Sequence, residues 1–139
     1  MKYTHTLTLL LVVLAISCNA PAPKEIMNKS LYERVAGLCP GPAKNDLVIY
    51  YFDGDCTMCL AKVRFIEQKL KNKNSIRPVF IAKTPNPASL EFNLHSLNIA
   101  SCVYVEKDNE FEKTLNFLKI VKVDKDRSIT NFENILHNY

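Results

Sequence analysis

Apolar and polar positions alternate along this chain in blocks of changing period. Leu47–Phe52 (LVIYYF) is apolar throughout and rich in β-formers, which predicts a strand buried on both faces. Residues 57–72 change to helical spacing. Leu60, Val63, Phe65, Ile66 and Leu70 fall inward, and Lys62, Arg64, Glu67, Lys69 and Lys71 fall outward. KNKNS ends that helix, and Ile76–Ala82 is the next strand, with Pro78 marking its start or an edge. TPNP is a loop. Ala88–Leu97 reads as a helix, with Leu90, Phe92, Leu94 and Leu97 available for burial. Cys102–Val105 predicts a third strand, Asp108–Leu115 a helical turn or short helix, and Ile120–Asp124 a fourth strand. Ser128–Thr130 reads as a fifth short strand and Phe132–Leu136 as a closing helix.

Upstream, Ser30 and Glu33 have capping-box spacing and predict a short helix to about Leu38, broken by Gly37 and CPGPAKND. The long helical crossovers between the early strands require parallel pairing. KVDKDRSI has the form of a hairpin. The expected fold is α/β: a mixed sheet of four to five strands with helices on both faces.

With 139 residues the chain suffices for one domain with a real core. Its 47% apolar and 23% charged residues are ordinary for a globular protein. The net charge of +4 is mild, and the cations are spread out, so no nucleic-acid footprint is present.

The N-terminus has another character. No charged residue stands between Lys2 and Lys24, and Leu7–Ile16 (LTLLLVVLAI) is an apolar run too short to span a bilayer. A basic start, a short apolar run and small residues describe an export signal. Its ending, LAISC, resembles a bacterial lipobox, which implies cleavage before Cys18 and acylation of that cysteine. The plainer alternative is an ordinary signal peptide with a coincidental Cys18. The expected organisation is a signal peptide over 1–17, a tether over 18–29 and a domain over 30–139, held at a membrane surface by lipid in the cell envelope. Cys39, Cys56, Cys59 and Cys102 then meet an oxidising compartment, where disulfides persist.

The candidate chemistry is DGDCTMC, residues 53–59. Its cysteines stand three apart, between a buried strand and a helix, so both sulfurs fit within one turn. The positive end of a helix favours the thiolate on Cys56. Cys59, a turn deeper, is suited to resolve a mixed disulfide. Asp53 or Asp55 is open to acting as proton acceptor, although a carboxylate beside a thiol disfavours the thiolate. The simpler reading is a turn at Asp53-Gly54-Asp55, with Asp55 as helix cap and Gly54 supplying backbone freedom. Cys102 reads as a small buried apolar residue. Cys39 is open to pairing with Cys102, to a third redox role, or to remaining a free or structural thiol. His95 and His137 are surface histidines first, and third ligands for copper or zinc on the two cysteines second. No cofactor or resident metal is called for.

These residues resemble the thioredoxin-like superfamily over roughly 45–138. VYVEKDNEF…KIVKVDKDRSI looks like the strand–turn–strand part of the TlpA and peroxiredoxin-like members, and YYFDGDCTMCLAKVRFI is similar to the DCC family of predicted thiol-disulfide oxidoreductases. The resemblance implies Cys56 as attacking thiol, Cys59 as resolving thiol, and envelope proteins with thiols or disulfides as partners. Two departures stand out. The superfamily's cis-proline would fall near Phe117–Lys119, yet no proline follows Pro87, and Asp55 stands where a Trp usually precedes the first cysteine. The alternatives are a non-catalytic partner-binding lipoprotein or a Cu(I)- or Zn-binding one using the same cysteines.

Overall fold

A computed structural model describes residues 23–42, 46–124, 126 and 128–137, without the side chains of 23–28 and 135. The signal run, Cys18 and residues 19–22 of the expected tether lie outside them. Among the described residues no helix is long and apolar enough to cross a membrane.

The elements run α1 (Pro23–Leu38), β1 (Asp46–Asp53), α2 (Thr57–Leu70), β2 (Ile76–Lys83), α3 (Pro87–Ser96), β3 (Val103–Val105), β4 (Ile120–Val123), β5 (Ile129–Asn131) and α4 (Glu133–Leu136). The five strands form one mixed sheet in the order β3-β2-β1-β4-β5. β1 pairs parallel with β2, and β2 with β3, as helical crossovers require. β4 runs antiparallel to β1, placing Ile120 beside Tyr50, and β4–β5 is the expected hairpin.

β1 lies at the centre, and its side chains alternate between two cores. Val48, Tyr50 and Phe52 pack with Leu60, Val63 and Ile66 of α2 and with Leu90 of α3. Leu47, Ile49 and Tyr51 pack with Leu31, Tyr32 and Val35 of α1 and with Phe111 and Leu115 of the long connection to β4.

Three expectations change. α1 begins at Pro23 rather than Ser30, so part of the expected tether is helical and Ser30 lies inside the helix instead of capping it. Phe92, expected inward, is 72% exposed; only Leu90 of α3 is fully buried. Cys102 precedes β3 and is exposed, not a buried strand residue, and it forms a disulfide with Cys39. That bridge spans 63 residues and ties the end of α1 to the start of β3. Pro78 stands inside β2, where no β3 residue is in register: β3 pairs only with Phe80–Ala82. Residues 108–115 fold as turns, with Asp108 and Asn109 at φ 58° and 56° and one helical turn closed by Leu115 N–H on Phe111 O at 2.8 Å.

Candidate functional site

β1 ends at Asp53 on the C-terminal edge of the sheet, and the chain must turn there into α2. Asp53 makes the turn with its own side chain: Oδ1 accepts the N–H of Asp55 at 2.9 Å, while its carbonyl accepts the N–H of Cys56 at 3.2 Å. Gly54 donates to Lys83 O at 2.9 Å, pinning the turn to the end of β2. Its φ is not positive. The glycine is needed for space rather than for backbone freedom, since a Cβ there would meet Thr84 Cβ at 3.0 Å and Leu90 Cδ2 at 3.3 Å.

The helix cap is Cys56, not Asp55. Cys56 has extended backbone (φ −90°, ψ 110°), and its Sγ accepts the N–H of Cys59 at 3.2 Å. Asp55 is displaced from the cap because both its oxygens take the hydroxyl of Thr84, at 3.1 Å each. Thr84 Oγ1 also accepts the N–H of Asn86, which caps α3 through Ser89. One hydrogen-bonded chain therefore joins the turn before α2 to the start of α3.

Cys56 and Cys59 are joined by a disulfide, with Cα atoms 5.2 Å apart. Cys56 is half-buried at the rim, whereas Cys59 is 6% exposed and packs in the core with Phe52 and Leu60. An orphan N–H at the helix start aimed at the outer sulfur, and apolar packing around the inner one, fit nucleophilic attack from outside and resolution from within.

Several neighbours were not legible in the sequence. Met58, between the cysteines, is 79% exposed. Beside it a groove of about 370 Å³ is lined by Phe65, Ile120, Leu136 and His137 and by the Lys62–Glu133 ion pair. Lys62 Nζ also stands 5.2 Å from the Tyr50 ring centroid, and Tyr50 stacks on Phe52 at 5.3 Å. Burial, with a smaller push from Glu133, raises the Tyr50 phenol to about 12. Leu118 donates its N–H to Tyr51 O at 2.8 Å, at the end of β1, and adopts φ 64°. This is the stretch where the resemblance would place a cis-proline; it contains none, and no cis peptide occurs among the described residues. Beneath it Tyr51 donates to the buried carboxylate of Glu106, which also accepts the N–H of Phe111. Burial first, then that carboxylate, raise the Tyr51 phenol well above its ordinary range.

The histidines are not gathered to the sulfurs. His95 is exposed in the last turn of α3, and His137 sits against Phe65 at 5.8 Å. Among the described residues no group of three His, Cys, Asp or Glu is placed to hold a metal.

No known family model matches the chain, and no curated protein matches its sequence. Solved structures do match its fold. A secreted disulfide oxidoreductase of Mycobacterium tuberculosis, homologous to E. coli DsbE, superposes with a TM-score of 0.54 and 15% identity over 62% of this chain and 66% of its own. The M. tuberculosis protein dsbF gives 0.56 and 10% identity over 68% and 71%. The thioredoxin domain of a thiol-disulfide oxidoreductase from Bacteroides vulgatus gives 0.54 and 7% identity over 63% and 68%. The chain thus spans about two thirds of each of these structures, and its fold is thioredoxin-like.

Proposed function

We propose that this protein is a thiol-disulfide oxidoreductase of the bacterial cell envelope, held at a membrane surface through lipid on Cys18. The observation that carries the reading is the asymmetry of the cysteine pair: Cys56 caps α2 at the rim with a helix N–H on its sulfur, and Cys59 is buried one turn below. The solved structures that share the fold include proteins described as disulfide oxidoreductases, one of them secreted.

In the reducing direction the Cys56 thiolate attacks one sulfur of a partner's disulfide. The partner's S–S bond breaks, a Cys56–partner bond forms, and the first partner thiolate leaves. Cys59, having given up its proton, then attacks Cys56 Sγ. The intramolecular disulfide closes and the second partner thiolate leaves. Two electrons pass from the dithiol to the partner, and the reverse sequence oxidises a partner dithiol. The reduction potential relative to that of the partner sets the direction.

Asp53 and Asp55 act as positioning residues in this reading. Asp53 shapes the turn, and Asp55 is occupied by Thr84.

Cys59→Ala should accumulate mixed disulfides through Cys56 with envelope proteins, visible as reducible high-mass bands. Cys56→Ala should lose them together with insulin reduction. A Cys56 that never forms an adduct, with a potential below about −300 mV as for structural disulfides, would reduce the pair to a clip. Cys18→Ala should move the protein from the membrane fraction to the soluble one; unchanged partitioning would remove the anchor from the reading.

A further inference from the structure

Thr84 follows the end of β2, directly after Lys83, whose carbonyl takes the N–H of Gly54. Its hydroxyl has two partners, and their chemistry fixes where its proton lies. The N–H of Asn86 only donates, so Oγ1 accepts it, at 3.0 Å. The Asp55 carboxylate only accepts, so the single hydroxyl proton goes there, with Oγ1 3.1 Å from both oxygens. The Thr84 side chain is also pressed against the turn, since its Cβ lies 3.0 Å from where a Cβ on Gly54 would stand. Asn86 in turn caps α3 through the N–H of Ser89 at 3.1 Å. The hydroxyl is thus aimed at Asp55 by β2 and α3 together.

This aim settles a competition at the start of α2. The first turn of a helix leaves N–H groups without partners in the helix, and aspartate is among the best side chains to take them. A sulfur is a weak acceptor by comparison. Asp55 and Cys56 both precede the helix, yet it is Cys56 Sγ that accepts the N–H of Cys59, at 3.2 Å. The stronger cap is tied to Thr84, and the weaker one has the position. The same helix end stabilises a thiolate on Cys56. A carboxylate released beside it takes those N–H groups and repels its charge.

The other charged groups on the elements around the rim are placed elsewhere. Asp53 turns its carboxylate onto the N–H of Asp55 at 2.9 Å. Lys83 pairs with Glu112 at 3.3 Å, and Lys62 pairs with Glu133. Glu91 and His95 of α3, and Lys119 before β4, are exposed. Asp55 is the charge next to Cys56 in the chain, and one hydroxyl decides where it points.

We propose that Thr84 is a positioning residue for the Cys56 nucleophile: its hydroxyl holds the Asp55 carboxylate off the start of α2 and leaves that helix end to the sulfur. This deepens the redox reading and rests on it for the role of Cys56.

The test reads Cys56 in the full chain carrying Cys59→Ala as parent. Alkylation of Cys56 by iodoacetamide is followed against pH by peptide mass spectrometry, with no partner protein present. Thr84→Val removes the hydroxyl at nearly unchanged volume from a half-buried position. It should move the midpoint of the profile to higher pH. Below the parent's midpoint the rate should fall about two- to fourfold, the loss of thiolate being partly offset by its greater nucleophilicity. Thr84→Ala should do the same, and Thr84→Ser, which keeps the donor, should retain the parent's profile. With Asp55→Ala present, Thr84→Val should shift nothing further. A Thr84→Val profile equal to the parent's overturns the proposal. So does an equal shift in the Asp55→Ala background, which would show Thr84 acting on the fold rather than through Asp55. Trapping of mixed disulfides in the parent is scored separately: a lack of adducts there counts against the redox reading, whereas the pH profile alone decides the role of Thr84.

Discussion

A methyl group added at Gly54 would sit 3.0 Å from Thr84 Cβ and 3.3 Å from a Leu90 methyl. Neither neighbour yields easily. Thr84 is held by Asp55 and Asn86, and Leu90 is 1% exposed in the core. Gly54→Ala should therefore cost about 1–3 kcal/mol, the usual range for overpacking. It should also weaken the Asp55–Thr84 contact beside Cys56. Urea denaturation checks the first effect; an unchanged midpoint would show that the turn relaxes freely. The sequence marked this glycine but gave it the wrong reason. It also misplaced the cap by one residue, since Asp and Cys both precede the helix. The deciding contact is a threonine 29 positions away, which takes the aspartate out of competition.

Among the elements, the join between α1 and β3 was the hardest to read. Cys39 sits in a Pro/Gly segment and Cys102 before a three-residue strand, and nothing local to either predicts the pairing. Closing a loop of 63 residues restricts the unfolded chain, so Cys39→Ser/Cys102→Ser should lower stability by about 2–4 kcal/mol. Exchange through Cys56 should survive, because the bridge lies at the other end of the fold. A double variant with the wild-type urea midpoint would mean that the rest of the α1 interface suffices. β1, α2 and β2 were legible almost to the residue, since each carries a strong single period. α3 was legible as a helix but not in its face. Phe92 has helical spacing, yet only a narrow stripe of α3 meets the core, where Leu90 is buried and Leu94 packs beside it.

Across the whole molecule, Tyr50 and Tyr51 are adjacent in sequence and buried in opposite cores. Both phenols hold their protons more tightly when folded, Tyr50 up to about 12 from an ordinary 10. The unfolded chain therefore loses these protons first as pH rises. Their contribution is complete below about pH 10 and falls through the folded value, near 12 for Tyr50. Lys122, raised by its hydrogen bonds to Asp124 and then Asp46, acts in the same direction, lost as pH climbs past its ordinary 10.5. Asp124, lowered chiefly by Lys122, stabilises above its ordinary 3.8 and loses that effect in acid. Denaturation at rising pH should show stability level near neutrality and falling above about pH 10, less steeply in Tyr50→Phe. Equal slopes in variant and wild type would remove Tyr50 from this account.

The sequence by itself determined the α/β class, the buried central strand, the parallel crossovers and the placing of two cysteines at a helix start. Each follows from a local period or a spacing within one turn. Only the tertiary structure decided which sulfur caps the helix, that Cys39 meets Cys102, and that β4 returns beside β1. These depend on side chains dozens of residues apart competing for the same space and the same hydrogen bonds, a contest that no local pattern records.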